Sequence, residues 1–474
     1  MDVCPLIIDG KKIDTPAKFQ INDRFTSEPV AEIAVASRSH VSEAVAAGLR
    51  AFSSGPLPPY ERYRVLQGAA KLVEQNAQEL IETIISETGF TRTDAAGEVN
   101  RTIQTLLLSA DEAKRVCGEM VPLDGAPGVT RRIGFTIRVP VGVVCAITPF
   151  NSPLNTVAHK VAPALAAGNT VVLKPASSTP LTATRFCLLL MEAGLPAGYL
   201  NLLHGDGADV GHWLMEEQDI RFYTFTGSTA VGRSIQRAAG LRRTQLELGS
   251  ISGTIVCEDA DLDWATPRCI SASFRKAGQV CTSVQRLFVH EQILSRFVQG
   301  LVAGTAAAKV GDPRDATTLV GPMISVREAE RAEAWVREAV SQGARVATGG
   351  EREGALLHPT ILLDATPAMR VMCEEVFAPI ITVVPFRALD EAIAGVNGSP
   401  YGLAAGIFTS NVNTALRAAR SLEVGSVHVN ETSSSRVDLM PYGGVKDSGF
   451  GHEGPKYAIR EMTEERLITI SEIS

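Results

Sequence analysis

Between residues 39 and 117 apolar side chains recur every three or four positions: Val41, Val45 and Leu49, then Leu66, Leu72 and Val73, then Leu80, Ile81, Ile84 and Ile85. That spacing puts them on one face of a helix, so the stretch predicts a series of amphipathic helices. At 132–139 the period drops to two. Ile133, Phe135, Ile137 and Val139 alternate with Arg132, Gly134, Thr136 and Arg138, which predicts a strand with one wet face and an edge in need of a partner.

Beyond it, continuous apolar runs at 141–147 and 170–173 flank a helical stretch at 155–167 that ends at Gly168 and Asn169. Strands that are apolar on both faces and alternate with helices predict a parallel α/β sheet. The alternation continues through strand 198–203, helix 208–217, strand 221–226, helix 228–239 and strand 244–248. It restarts with strand 254–257, helix 261–276, strand 286–290 and helix 291–308, which predicts a second α/β domain. A length of 474 residues agrees with two or three domains.

Composition narrows the function classes. Apolar residues make up 45% and charged residues 20%, as in an ordinary globular chain. With 45 basic against 52 acidic residues the net charge is −7, which gives no electrostatic reason to expect nucleic acid or an acidic membrane as partner. Lys160, Lys174 and Arg185 interrupt the apolar runs well short of the ~18 residues that a membrane span needs. The eight cysteines form no CxxC pair and do not cluster with the eight histidines, so neither a disulfide framework nor a metal site is expected. A cytoplasmic small-molecule enzyme is the expectation.

Two glycine-rich stretches each follow a predicted strand and precede a predicted helix, where free N–H groups and the helix dipole favour a phosphate. The first, Gly205 to Gly211, is one residue off GxGxxG and carries Asp206 and Asp209, which would repel a pyrophosphate; a tight turn is expected there. The second runs from Phe225, Thr226, Gly227 and Ser228 through Val231 and Gly232 to Arg233 and Ser234. It fits a P-loop except that Arg233 replaces the lysine, and with Glu258 and Asp259 ending an apolar strand it makes a P-loop nucleotidase the rival enzyme. Arginine is a poor copy of the compact ammonium that reaches between phosphates, and a P-loop leaves the residues near 281 without a role.

Cys281 lies within Gly278, Gln279, Val280, Cys281, Thr282 and Ser283, in a loop between a predicted helix and strand. A lone cysteine is most often a small buried hydrophobe. Here Glu247 ends one strand, 34 residues upstream, and Asn151 follows another behind Pro149 and Phe150. A thiol, a carboxylate and an amide at the C-terminal ends of α/β strands suit acyl transfer. No GxSxG, HExxH or EF-hand pattern competes.

Taken in order, Pro149-Phe150-Asn151, Lys174-Pro175, Phe225-Thr226-Gly227-Ser228 to Gly232, Glu247-Leu248-Gly249, Gly278-Gln279-Val280-Cys281, Glu374-Glu375-Val376-Phe377-Ala378-Pro379 and Pro441-Tyr442-Gly443-Gly444-Val445-Lys446 resemble the aldehyde dehydrogenase superfamily. The resemblance spans nearly the whole chain. It implies an α/β fold with two parallel-sheet, Rossmann-like domains: a cofactor-binding domain at 1–121, 140–247 and 443–462, and a catalytic domain at 248–442. Oligomerisation strands at 122–139 and 463–474 would form a homodimer or homotetramer. By the same resemblance Cys281 is the nucleophile, Glu247 the general base and Asn151 the oxyanion donor of a non-acylating enzyme. NAD or NADP would be bound by Thr148, Pro149, Phe150, Lys174, Ser177, Thr226, Gly227, Ser228, Val231, Leu248, Glu375 and Phe377. Ser177 stands where NAD-preferring members usually carry Glu, and without that negative charge the 2′-phosphate of NADP is no longer repelled.

Four positions are expected to meet the substrate: Arg101, His159, Arg436 and Thr282. The first three correspond to places that many relatives fill with Met or aromatic side chains. Three cationic or polar groups without anionic partners do not suit an apolar tunnel, so a short aldehyde bearing an anionic or hydroxyl group is expected. The segment 436–444 resembles the lactaldehyde and phosphonoacetaldehyde dehydrogenase branch. Bidentate arginine suits a phosphonate, which makes phosphonoacetaldehyde the leading substrate, ahead of lactaldehyde, glyceraldehyde-3-phosphate and succinate semialdehyde. Against a non-enzymatic structural relative stands the retention of Cys281, Glu247 and Asn151 together.

Overall fold

The protein is described by a computed structural model covering residues 3–129 and 131–472. Met1, Asp2, Thr130, Ile473 and Ser474, which fall inside the expected domain limits, lie outside the described residues. Among the described residues no helix is long and apolar enough to cross a membrane.

Five parallel strands form the middle of an eight-stranded sheet, in the order Arg243–Glu247, Ile220–Thr226, Val143–Ile147, Thr170–Lys174 and Leu200–Leu202. Antiparallel strands close both sides, Gly449–Phe450 at one and Leu6–Ile8 with Lys11–Ile13 at the other. The continuous apolar runs follow from this layering. Val144 and Ala146 pack into one core while Val143 and Cys145 pack into the core on the opposite face, so neither face of the strand tolerates water. Each such buried valine contributes roughly 1.5–3 kcal/mol.

A second sheet of seven strands carries Gly253–Val256 beside Arg286–His290 and Ala404–Phe408, all parallel. Only its outer strand Arg345–Thr348 runs antiparallel. The helix expected at 261–276 stops earlier, as Leu262–Phe274, because Lys276 and Ala277 take left-handed backbone angles (φ 53° and 52°).

The strand Arg132–Pro140 is not an edge, contrary to the alternation's first implication. Thr463–Ser471 pairs with it over nine residues and Met120–Val121 covers two residues of its other side. Apolar side chains of this two-stranded ribbon stay exposed: Ile133 at 55%, and Leu467 and Ile470 of the partner strand at 54% each.

One buried ion pair ties the two layers together. Lys276 reaches from the second layer to Glu98 of the helix Arg92–Ala113, with Nζ and Oε2 2.6 Å apart and both residues buried. The other Glu98 oxygen accepts the backbone N–H groups of Leu154 and Asn155 at 2.9 and 3.2 Å. Removing one partner strands a buried charge, which costs about 3–5 kcal/mol. Lys276→Met should therefore lower stability by about that amount in chemical denaturation, and Glu98→Gln in the same chain should restore most of it. An unchanged midpoint for Lys276→Met refutes the role of the pair.

Candidate active site

Parallel strands deliver their following loops to one crevice at their C-terminal ends. Arg243–Glu247 ends on Glu247, and Val143–Ile147 runs into Thr148, Pro149, Phe150 and Asn151. From the second layer, the turn after Leu262–Phe274 brings Cys281. Asn151, Glu247 and Cys281 line one cleft of about 460 Å³. The Cys281 loop can approach this closely only because of Gly278. Its φ is +67°, and a Cβ there would stand 2.1 Å from the Ala378 carbonyl oxygen.

The three groups differ in how they are held. One N–H of the Asn151 amide donates to the Gln279 carbonyl at 2.9 Å, and Lys276 Nζ donates to the Asn151 carbonyl at 2.8 Å. Glu247 is 3% exposed, and neither carboxylate oxygen has a hydrogen-bond partner. Burial, with the negative Glu453 nearby, drives its carboxyl well above the usual carboxylate range, against the opposing pull of Lys160 and Arg436. Burial also pushes the Cys281 thiol up to about 11, while a hydrogen bond from Tyr442 and the charge of Arg436 act the other way.

The remainder of the cleft suits a dinucleotide. Gly227 and Ser228 sit at the start of the helix Thr229–Ala239, whose first turn offers its N–H groups; Ser228 Oγ accepts that of Val231 at 3.4 Å. Gly232 lets this helix lie on Leu248: a Cβ there would meet the leucine at 2.4 Å. Thr148, Lys174 and Thr226 line the same cleft, and the buried Thr148 hydroxyl has no partner. Burial pushes the Lys174 ammonium down to about 8, with Asp206 opposing. At the far wall Phe150 meets Phe377 edge-on at 5.9 Å, and Glu375 accepts the Ser250 N–H at 3.0 Å. Burial raises the Glu375 carboxyl to about 7.

Two expectations about this cleft change. Gly207 and Gly211 line it, so the first glycine-rich stretch is part of the cleft wall as well as a turn. Ser177 does not line it; Ala176 does, and the Ser177 hydroxyl donates to the Gly205 carbonyl at 2.8 Å.

The cationic tunnel needs a larger correction. Arg101, His159 and Arg436 do gather near the site, but not without anions. Arg101 holds both oxygens of Asp438, at 2.7 and 3.2 Å, and His159 bonds the same carboxylate at 2.8 Å. Arg436 donates to Glu453 at 2.7 Å, and Lys160 takes the other Glu453 oxygen at 3.0 Å. None of the three lines the cleft. His159 is buried, as is every residue of Asn155–Ala167. Burial lowers its pKa and Asp438 opposes that. Thr282, the fourth expected contact, lies beside Ser434, hydroxyl to hydroxyl at 3.3 Å.

Two residues escaped the sequence reading. Arg275, six positions before Cys281, donates to the Ser434 hydroxyl at 2.7 Å and forms no ion pair among the described residues. Burial lowers its pKa; the charges that act on it are Asp94, Arg101, Cys281 and Tyr442. Tyr442 places its hydroxyl 3.0 Å from Cys281 Sγ. Both were visible within quoted motifs or next to them, yet only the fold shows what they face.

The comparisons with known proteins agree with this geometry. Residues 12–468 match the model of the aldehyde dehydrogenase family. The 3-sulfolactaldehyde dehydrogenase of Priestia megaterium is 50% identical over 466 residues, covering 98% of each chain. The lactaldehyde dehydrogenase of Methanocaldococcus jannaschii is 39% identical, covering 98% of this chain and 100% of that one. Among solved structures, the NADP-dependent glyceraldehyde-3-phosphate dehydrogenase from Bacillus halodurans, complexed with NADP, superimposes with a TM-score of 0.97 at 34% identity, over 99% of this chain and 100% of that one. With Asn151, Glu247, Cys281 and the turn at Gly227 and Ser228 on one cleft and the match running almost end to end, this chain belongs to the aldehyde dehydrogenase family and is an enzyme that works with NAD or NADP.

Proposed function

We propose that this enzyme oxidises a short aldehyde bearing a terminal sulfonate to its carboxylic acid, with 3-sulfolactaldehyde as the first substrate to test. The observation that carries the choice is Arg275, a half-buried guanidinium near Cys281 with no ion-pair partner among the described residues. A cation partly withdrawn from water and without an ion pair favours a ligand that brings the missing charge. Arg101 and Arg436 are already committed to Asp438 and Glu453, so the two-armed grip expected for a phosphonate is not free. One open guanidinium matches the single charge of a sulfonate better than the double charge of a phosphonate. The name of the 50% identical relative points the same way. Phosphonoacetaldehyde, lactaldehyde and glyceraldehyde-3-phosphate remain the comparison substrates.

Cys281 is the nucleophile, Glu247 the general base and Asn151 the oxyanion donor in this reading. Sulfur adds to the carbonyl carbon and the π pair moves to oxygen. The Asn151 amide, with one N–H bound to Gln279, has its second N–H for that oxyanion. Thr148, Lys174 and the N–H groups after Ser228 would hold the cofactor, which when bound accepts the hydride that the substrate carbon loses. The acyl group is then a thioester on Cys281. Glu247 takes a proton from water as the water attacks the thioester carbon, the C–S bond breaks, and the acid leaves. A free carboxylate here favours hydrolysis over transfer to a thiol acceptor. The exposed Ile133, Leu467 and Ile470 support a homodimer or homotetramer built on that ribbon, and the eight free cysteines support the cytoplasm.

Cys281→Ala should abolish oxidation in a reduced-nicotinamide absorbance assay, and Glu247→Gln should keep the first-turnover burst but lose steady turnover. The same loss in Cys257→Ala would refute the choice of thiol. Because burial raises the Glu247 pKa, its base form grows as pH rises. Turnover should therefore still be climbing with pH beyond the usual carboxylate range, and that climb should vanish in Glu247→Gln. For specificity, Arg275→Gln should raise KM for 3-sulfolactaldehyde by about tenfold or more and leave propanal within about twofold. Equal effects on both aldehydes, or hexanal as the best substrate of the wild type, would remove Arg275 from the substrate site.

A further inference from the structure

The Cys281 sulfur has one hydrogen-bond partner among the described residues, the Tyr442 hydroxyl at 3.0 Å. That phenol is held in place from several directions. Tyr442 is 6% exposed. Its backbone exchanges hydrogen bonds with Glu453 at 3.2 and 2.7 Å across an antiparallel bridge. The next residue, Gly443, lies so close to the Gly451 carbonyl that a Cβ would stand 2.1 Å from it. Over the ring face sits the Arg436 guanidinium, 3.7 Å from the centroid, and Glu453 fixes that guanidinium in turn.

A cation on the face of a phenol draws electron density from the ring and makes the O–H a stronger donor. Burial, with the charges of Cys281 and Glu247 nearby, pushes the Tyr442 phenol well above its usual range despite Arg436. The phenol therefore keeps its proton and faces a thiolate only as donor. Cys281 needs such help. Its thiol is raised by burial, and a buried sulfur anion without a donor is costly.

We propose that the Tyr442 hydroxyl is a catalytic hydrogen-bond donor that holds the Cys281 sulfur as a thiolate ready for attack, and that Arg436 is a positioning residue acting through the Tyr442 ring. The inference rests on Cys281 as the nucleophile. The thiol proton leaves to solvent, and Tyr442 retains its own. As the S–C bond forms, negative charge passes from sulfur to the carbonyl oxygen, and the bond from Tyr442 weakens because a thioether is a poor acceptor. Arg436, expected from the sequence to meet the substrate, thus serves the nucleophile.

The test is Tyr442→Phe, which removes the hydroxyl and keeps the ring under Arg436. Iodoacetamide alkylation of the Cys281 peptide is followed by mass spectrometry as a function of pH, with residual aldehyde oxidation measured on the same samples. The midpoint for Cys281 should rise by about one pH unit in Tyr442→Phe, with labelling about tenfold slower at neutral pH. The first-turnover rate should fall by a similar factor at unchanged KM. Arg436→Lys keeps the charge beside Glu453 but loses the planar stack, and should shift the midpoint the same way by less. A superimposable midpoint for wild type and Tyr442→Phe overturns the donor role. A midpoint in Arg436→Lys equal to wild type overturns the part assigned to Arg436. Wild-type protein that stays active with Cys281 fully alkylated overturns instead the choice of nucleophile on which the inference stands.

Discussion

The helix Asn155–Ala167 is buried along its whole length and yet carries His159 and Lys160, and the active site is built around that conflict. Charge without water needs countercharge. Three carboxylates meet this helix, and each spends a second bond on a cation from another part of the chain. Glu453 joins Lys160 to Arg436, and Asp438 joins His159 to Arg101. Glu98 joins the N–H groups at the start of the helix to Lys276. The same bonds that make the helix tolerable in the core therefore set the positions of Arg101, Lys276 and Arg436, the last of which acts on Cys281. Although burial opposes their charge, these partners hold the Glu453 and Asp438 carboxyls well below the usual range.

Against that background the bare Glu247 carboxylate stands out physically. Its neighbours are paired, its two oxygens are not, and it lies in a medium where an unpaired charge is expensive. Leaving it unpaired costs stability and keeps its lone pairs available to take a proton. Arg275 is the cationic counterpart, bonded to a neutral hydroxyl and to no acid. Glu247 lines the cleft and Arg275 feels the charge of Cys281, where local rules of satisfaction give way to chemistry.

Periodicity made much of the architecture legible. The buried runs at 141–147 and 170–173 become Val143–Ile147 and Thr170–Lys174, because strands covered on both faces must be apolar at every position. The glycine at the end of 155–167 closes that helix with a left-handed backbone angle. Asn151 and Glu247 were legible too, since strand ends in parallel sheets share one crevice, whereas Cys281 comes from the loop that precedes Arg286–His290 and not from a strand's end. The pairing of the cations was not. Asp438 lies 337 residues from Arg101, and Glu453 lies 293 from Lys160, so no local pattern announces that those charges are answered. Arg275 was hidden for a similar reason: its importance comes from a missing partner, and absence leaves no mark in a chain read residue by residue. The strand Arg132–Pro140 was legible as a strand in want of a partner, but its alternation could not name that partner, Thr463–Ser471, which lies more than 300 residues on and was grouped with it only through the resemblance.

That late partner bears on how the molecule is made. Thr463–Ser471 fills the long side of a strand laid down more than 300 residues earlier, and Gly449–Phe450 closes the cofactor sheet beside Arg243–Glu247. Glu453 comes from the same final stretch. Until it emerges from the ribosome, Lys160 has no acid to meet, and burying its helix would leave the ammonium alone in the core. Contacts of such long sequence separation form slowly and after local ones. The first layer can accordingly complete its core only after the second layer has been synthesised, and Cys281 gains its full surroundings no earlier.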